Sequence, residues 1–202
     1  TIDGTQVAVI ESALGGAAPL VLDAGLLGRV ADASAPRVIT PHARELARLL
    51  MTAGMTVDDR EVARIPDAWA QRAADEFGAT ILLKGAVTHI ATPANDRGER
   101  FHAVVSSNTH WMASAGTGDV LAGILGALVA THADAVTADQ DALGPLAATA
   151  AYIHAQAGER ASAGGPLVAL DVAEAPDARA SVGTSSKSKI SRTSGSHPLR
   201  RA

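Results

Sequence analysis

The sequence contains no cysteine, and its five aromatic side chains make up only 2% of the 202 residues. The lack of cysteine excludes a disulfide framework and fits a reducing compartment. The longest apolar run, residues 120–130, is shorter than the roughly 20 residues that a bilayer requires. No charged segment precedes an apolar one at the start, so the sequence lacks the pattern of a secretory signal. We therefore expect a cytoplasmic protein without a membrane partner, whose single domain has a core of Ala, Val, Leu and Ile.

Acidic and basic residues are unevenly distributed along the chain. Residues 179–202 hold six Lys or Arg and no acid, whereas residues 1–178 carry eleven basic and twenty-one acidic side chains. The basic segment is rich in Ser and poor in large apolar residues, so it cannot bury enough surface to offset its ordering entropy. We predict a folded domain over 1–178 and a disordered tail over 179–202. Without interleaved aromatics, the tail predicts no nucleic-acid partner.

Short apolar runs alternate with helical patterns. Residues 19–25, 37–40 and 79–85 are typical of buried strands, and the segments VTHIATP and FHAVVS predict a strand pair around the polar loop 94–100. Thr40 as N-cap and Pro41 as first helical residue predict a helix over 40–50. Further helices are predicted over 67–78, 119–130, 142–161 and 168–175. This alternation predicts an α/β layered fold with a mostly parallel sheet.

Several polar residues follow the predicted strands or begin the predicted helices. Ligands of such folds bind at the carboxyl ends of the strands. The sequence therefore predicts one shared site at a single edge of the sheet, formed by Asp23, Thr40-Pro41-His42, Lys84-Gly85 and the glycine loop before Asp119.

The segment AGTGDV combines two glycines with a carboxylate. Gly116 and Gly118 allow a close approach of a ligand to backbone N–H groups at the positive end of the following helix. No G-x-x-x-x-G-K-[ST] motif is present, so backbone amides would hold a phosphate there. Asp119 is open to two interpretations. It is either the N-cap of the helix or a base that takes the proton of a hydroxyl as that oxygen attacks a terminal phosphoryl group.

Four segments occur in the order and spacing of one family: VLDAGLL, VITPHARELARLL, ILLKGAVTHIATP and WMASAGTGDVLAGILGALVA. Together with GGPLVALDVAEA, they resemble the ribokinase-like NAD(P)H-hydrate dehydratases over about residues 1–178. The resemblance implies a ribokinase-like layered α/β fold, with a mostly parallel central sheet flanked by helices. It also implies repair of hydrated NADH and NADPH, in which a nucleotide phosphorylates the added hydroxyl and phosphate then departs.

The resemblance also implies roles for individual residues. Asp119 would contact the hydrated nicotinamide and act as the base, and His42 would bind the same substrate. The adenine nucleotide would be bound by Lys84, Gly85, Ala86, Val87, Thr88 and Gly118. ADP or ATP would be the co-substrate, accompanied by Mg²⁺, and the composition with three lysines favours bacterial ADP use. A homo-oligomer and a fused or separate NAD(P)H-hydrate epimerase are the expected partners.

The chain departs from the family pattern in two places. Gly25 stands where the family often has a second acid, so the resemblance assigns no metal ligand near Asp23. The family's N-terminal section, with further strands and a Gly-Pro-Gly loop, precedes the matching segments, and we expect an N-terminally truncated fold that lacks part of the substrate site. The remaining histidines of the matching region have no ligand-like spacing and receive no role: His89, His102, His110, His132 and His154.

Two alternative functions remain. A ribokinase-like kinase of a vitamin precursor would share the Gly-x-Gly-Asp segment and transfer phosphate without elimination, but the Thr-Pro-His and Lys-Gly-Ala-Val-Thr segments argue against it. A non-catalytic remnant that at most binds nucleotide is favoured mainly by the absence of the N-terminal section.

Overall fold

The computed structural model describes residues 4–107, 109, 111–175 and 190–192, and for Trp111 and 190–192 the backbone alone. The strands are β1 (Leu20–Leu22), β2 (Arg37–Ile39), β3 (Thr80–Leu83), β4 (Val87–Ala91), β5 (His102–Ser106) and β6 (Ile190–Arg192). The helices are α1 (Gly4–Leu14), α2 (Ala43–Thr52), α3 (Asp59–Arg64), α4 (Pro66–Phe77), α5 (Thr117–Thr131), α6 (Ala133–Ala138), α7 (Leu143–Ser162) and α8 (Ala169–Glu174). Short 3₁₀ helices cover Ala24–Asp32, Trp111–Ala113 and Gln140–Ala142.

The strands form one sheet in the order β1-β2-β3-β4-β5-β6. β1, β2 and β3 are parallel, because a helical segment carries the chain back between them. From β3 onward each neighbour is antiparallel, since short connections reverse the chain on either side of β4. The α/β fold and the strand pair around residues 94–100 are confirmed. The predicted parallel arrangement holds for the first half of the sheet, so the sheet as a whole is mixed.

Alternate residues of the strands enter two separate cores. Ile39, Ile81 and Leu83 face one side and pack with residues of α2 and α4. Val38 and Leu82 face the other side and pack with residues of α5 and α7. Strand side chains alternate between faces, so both layers of helices are held by short aliphatic residues. Because β1, β2 and β3 are parallel, their carboxyl ends lie at one common edge of the sheet.

The predicted cap of α2 is wrong. Thr40 lies before the helix, and its hydroxyl donates to Asp23 Oδ1 at 2.6 Å. His42 is the N-cap: its Nδ1 accepts from the N–H of Glu45, and Glu45 Oε2 accepts from the N–H of His42. This reciprocal capping box satisfies two N–H groups, whereas the hydroxyl of Thr40 is already engaged by Asp23.

Other boundaries follow the sequence more closely. α4 ends at Gly78, which adopts φ 54° as the left-handed C-cap, as the pattern predicts. Helices α1, α3 and α6 have no counterpart among the predictions. The predicted disordered tail lies outside the described residues except for 190–192, whose backbone pairs with β5. In the described part of the chain, no helix combines the length and the apolar character needed to cross a membrane.

We predict that Gly144→Ala destabilises the fold by about 1–3 kcal/mol, because a core without spare volume resists added atoms. A Cβ at Gly144 would lie 2.6 Å from the ring of Phe101 and 2.9 Å from Thr92. Gly123→Ala on the exposed side of α5 is the matched control, with no atom within 4 Å of the added Cβ. The free energy of unfolding of the control should rise by up to about 1 kcal/mol, because alanine favours the helix over glycine. Urea unfolding measures both, and equal stability changes would contradict the packing described.

Candidate active site

A cavity of about 580 Å³ lies at the carboxyl end of β3. Its walls come from the turn after β3, from the hairpin strands β4 and β5, and from the facing helices α5 and α7. Six of the predicted site residues line it: His42, Lys84, Gly85, Ala86, Thr88 and Gly118. The structure therefore brings together residues separated by up to 76 positions in the chain, as the strand-end argument predicts.

Two predicted site residues lie beside the cavity without lining it. Val87 is exposed on β4, and strand alternation directs it away from the face that Thr88 presents. Asp119 is exposed and directly follows Gly118. Asp119 thus lies in the first turn of α5, next to a residue of the cavity wall, where a ligand that reaches the start of α5 would meet it.

Helix α5 starts without a side-chain cap. Its N-cap is Gly116, which adopts φ 86°, a conformation that glycine takes without the strain that a Cβ would add. Asp119 is the third residue of the helix, so the interpretation of Asp119 as N-cap is wrong. The N–H groups of Thr117 and Asp119 donate to the carbonyls of Ser114 and Gly116, so the positive end of this helix suits an anion mainly through the N–H of Gly118.

Lys84 places a positive charge next to the start of α5. A Cβ added at Gly118 would lie 3.4 Å from Lys84 Nζ. The same ammonium donates to Asp23 Oδ1 at 2.9 Å, and both side chains are largely buried. Burial raises the pKa of Asp23, but the hydrogen bonds from Thr40 and Lys84 and the charge of Lys84 outweigh it and hold that pKa below its usual range. Asp23 is therefore ionised and orients Lys84.

His42 is fixed next to Lys84 by the backbone. The N–H of Lys84 donates to the carbonyl of Pro41 at 2.8 Å, and His42 and Lys84 form a parallel bridge. Because Nδ1 of His42 accepts from the N–H of Glu45 at 3.2 Å, a neutral ring carries its proton on Nε2. Nε2 lies 3.6 Å from Glu45 Oε2, and because the ring is half exposed this edge can also donate a hydrogen bond to a ligand.

His154 is a site residue to which the sequence pattern assigned no role. It lies on α7 in the wall of the cavity, next to Ala151 and Ala155, and its Nε2 lies 2.8 Å from the carbonyl oxygen of Thr117. Burial lowers the pKa of His154, the nearby Lys84 charge lowers it further, and the hydrogen bond to Thr117 opposes both. A neutral His154 donating to that carbonyl fixes the first turn of α5. The sequence signal that could have identified His154 is a single histidine whose neighbours on the same helix face, Ala151 and Ala155, are small enough to leave space for a ligand.

The nucleotide segment predicted at 84–88 covers the turn between β3 and β4 and the first two residues of β4. A Cβ at Gly85 would lie 3.0 Å from the carbonyl oxygen of Val87, so the tight turn favours glycine at this position. Lys84, Ala86 and Thr88 then face the cavity opposite Gly118. The Lys84 ammonium on one side, and the first turn of α5 with the exposed Asp119 carboxylate on the other, suit a phosphorylated ligand that exchanges a proton.

A family model described as NAD(P)H-hydrate dehydratase matches residues 3–175. Two curated relatives carry the name Bifunctional NAD(P)H-hydrate repair enzyme Nnr. The one from Mycobacterium leprae is 39% identical over 144 residues, which are 68% of this chain and 28% of the relative. The one from a Synechocystis strain is 34% identical over 172 residues, which are 81% of this chain and 29% of the relative. The chain therefore spans less than a third of either relative.

A solved structure with the same fold comes from Bacillus subtilis. It is described as an ADP/ATP-dependent NAD(P)H-hydrate dehydratase co-crystallized with ATP/Mg²⁺. Its TM-score is 0.64 at 24% identity, and the match covers 86% of this chain and 58% of that chain. At this identity the likeness establishes the fold, and it supports the layered α/β arrangement described above.

We predict that Asp23→Asn lowers the unfolding free energy by about 1–3 kcal/mol at pH 7, because it leaves Lys84 without its buried counter-charge. The folded-state pKa of Asp23 is below the unfolded value of about 3.9, so the contribution of the ionised form is full above that value. It is lost as the pH falls through the folded-state pKa. The difference between the urea midpoints of the two proteins should be constant from pH 7 to about pH 4 and should narrow as the pH falls further; a difference that stays constant at lower pH would contradict the ion pair.

Proposed function

Because this chain belongs to the NAD(P)H-hydrate dehydratase family, we propose that it restores NADH and NADPH from their (S)-hydrates with ADP or ATP as phosphoryl donor. The observation that carries the proposal is the arrangement at the start of α5. An uncapped helix N-terminus, the Lys84 ammonium and the exposed Asp119 carboxylate meet beside one cavity. The first two bind phosphate, and the third takes a proton.

The proposed reaction has two steps. Asp119 accepts the proton of the ring hydroxyl while that oxygen bonds to the terminal phosphorus of the nucleotide, whose bridging oxygen leaves with the remaining phosphate. The phosphorylated hydrate then breaks its C–O bond. Phosphate departs with the bonding electrons as the ring nitrogen supplies its electron pair and becomes an iminium. The adjacent ring carbon then loses a proton to water, which forms the double bond of NAD(P)H and returns the nitrogen to its neutral state. Hydroxide is a poor leaving group and phosphate a good one, which explains the need for a nucleotide.

The residues around the cavity divide this work by their chemistry. Lys84 and the amides of the first turn of α5 oppose the negative charge on the transferring group. His42, with an N–H edge available, is proposed to orient the carboxamide or hydroxyl of the nicotinamide. The segment Lys84, Gly85, Ala86, Val87 and Thr88 is proposed to bind the nucleotide with Gly118, and the apolar side chains of Val105 and Leu121 offer a surface for its base.

At this site Mg²⁺ would be bound mainly by phosphate oxygens of the nucleotide and less by side chains of the protein. The negative charge of Asp23 is already neutralised by the Lys84 ammonium, so this carboxylate attracts a further cation only weakly. We propose that phosphate oxygens provide most of the ligands, with Asp119 close by, since Mg²⁺ usually binds through phosphates and one or two carboxylates. The ion would neutralise phosphate charge, and ADP is our preferred donor.

We also propose two protein partners for this chain, an epimerase and further copies of itself. A fixed base at Asp119 would act on one epimer of the hydrate, so an NAD(P)H-hydrate epimerase, fused or separate, would supply the (S) form. The relatives are named bifunctional, and this chain spans 28% of the M. leprae protein. We also propose a homo-oligomer in the cytoplasm, where it would meet NADH and NADPH.

We predict that Asp119→Asn lowers turnover by about 10²–10⁴-fold, the usual contribution of a general base, with little change in nucleotide affinity. The assay follows reduced-nicotinamide absorbance after hydrated NADH, ADP or ATP, and Mg²⁺ are added. Asp134→Asn is the matched control, an exposed acid in the first turn of α6. The control should keep full activity.

Other outcomes of this assay would support the alternatives. ADP binding without any recovery of NADH by the unaltered chain would favour a non-catalytic remnant. A stable phosphorylated alcohol would mean a kinase. Equal losses of turnover and nucleotide affinity in Asp119→Asn would contradict Asp119 as the base.

We predict that Lys84→Met weakens ADP binding by about tenfold or more, because a charge-assisted hydrogen bond contributes about 1.5–3 kcal/mol. Arg48→Met, which removes an exposed cation of α2, is the control and should leave the affinity unchanged. Calorimetric titration with ADP measures both. Circular dichroism shows whether each variant is folded, and an unchanged affinity of folded Lys84→Met would contradict the proposed phosphate contact.

A further inference from the structure

The hairpin of β4 and β5 presents two histidines on the face opposite the cavity. Thr88 and Val105 line the cavity, so their neighbours along the strands face the other side of the sheet. His89 pairs with Val104, and Ala91 pairs with His102. The two histidines are therefore diagonal neighbours on one face, with ring centroids 6.3 Å apart.

A carboxylate of α4 reaches these two rings. Asp67 lies in the first turn of α4, which packs over this face of the hairpin. Its Oδ1 is 4.0 Å from His89 Nδ1 and is in direct contact with His102 Nε2. One ligand atom from each of the three side chains lies within 4.8 Å of the other two. Three metal-binding side chains from three elements thus converge on one point.

The environment of His89 supports a ligand at this point. His89 Nδ1 is buried and makes no hydrogen bond within the described residues. A buried polar atom without a partner costs about 1–3 kcal/mol, and a metal bond would remove this cost. The side chains of His89 and His102 are 13% and 18% exposed, whereas Asp67 is 64% exposed. The two imidazoles are therefore held within the protein, and the exposed carboxylate lies on the side from which an ion could enter from solvent.

We propose that Asp67, His89 and His102 bind a zinc ion, with the fourth position taken by water. Two imidazoles and one carboxylate suit Zn²⁺, whereas Mg²⁺ and Ca²⁺ prefer oxygen ligands alone. Zinc bonds of about 2.0–2.1 Å in a tetrahedron place ligand atoms about 3.3 Å apart. The 4.0 Å between Asp67 Oδ1 and His89 Nδ1 therefore closes with a shift of the exposed Asp67.

The ion would tie the start of α4 to the hairpin. The other face of that hairpin forms a wall of the cavity through Thr88 and Val105, so the sheet separates this site from the proposed reaction. Its role is structural. The sequence prediction that gave His89 and His102 no role was based on spacing along the chain, and the register of the hairpin is what brings them together.

The test is a titration of the tag-free chain with Zn²⁺ and Co²⁺. We expect one tight equivalent of Zn²⁺ by calorimetry, visible Co²⁺ bands typical of a tetrahedral site, and a higher Tm with Zn²⁺. Asp67→Asn and His89→Gln should each weaken Zn²⁺ binding by at least about tenfold, since even residues that only support a ligand contribute this much. His132→Gln, at an exposed histidine, is the matched control and should bind as the unaltered chain does.

The opposite results would overturn the site. One such result is that the unaltered chain binds no tight equivalent of Zn²⁺. The other is that folded Asp67→Asn and His89→Gln bind Zn²⁺ with the same affinity as the unaltered chain. A loss of stability in Asp67→Asn without any change in Zn²⁺ affinity would assign Asp67 to an ion pair with His102 alone. Circular dichroism of the metal-free variants shows that each is folded, so that lost binding reflects lost ligands.

Discussion

One carboxylate, that of Asp23, ties together the carboxyl ends of the three parallel strands. Asp23 follows β1, Thr40 follows β2 and Lys84 follows β3, and a single oxygen of Asp23 accepts from both partners. Charge-assisted hydrogen bonds in a largely buried setting are stronger than neutral ones. This interaction sets the position of the Lys84 ammonium, and through it the charge that faces the start of α5.

The other half of the site depends on how α5 begins. Gly116 takes the left-handed conformation that starts the helix, and His154 of α7 holds the carbonyl of Thr117. The amides of the first turn are therefore fixed by a second helix, as Lys84 is fixed by the strands. Asp119 stays exposed beside them, which leaves its carboxylate accessible to a substrate hydroxyl. Lys84 at the edge of the sheet therefore provides the positive charge, and the first turn of α5 provides the N–H donor and the carboxylate of Asp119.

The sequence was sufficient for the features that local patterns determine. Short aliphatic runs predict β1, β2 and β3, and the rule that strand ends share an edge gathers His42, Lys84 and Gly118. The sequence was not sufficient where a side chain has two possible hydrogen-bond partners. Thr40 could cap α2 or bind Asp23, and only the packed strands decide this. His154 acquires its partner across two helices, and His89 meets His102 through hairpin register, so neither contact is visible in chain spacing.

The most direct measurement of the central claim is a crystal structure of this chain with ADP and Mg²⁺. The account predicts the nucleotide in the cavity between Lys84 and α5, with phosphate oxygens about 3 Å from the amide of Gly118 and from Lys84 Nζ. The carboxylate of Asp119 should lie next to the terminal phosphate without a protein partner. A nucleotide bound elsewhere, or phosphates turned away from the start of α5, would contradict it.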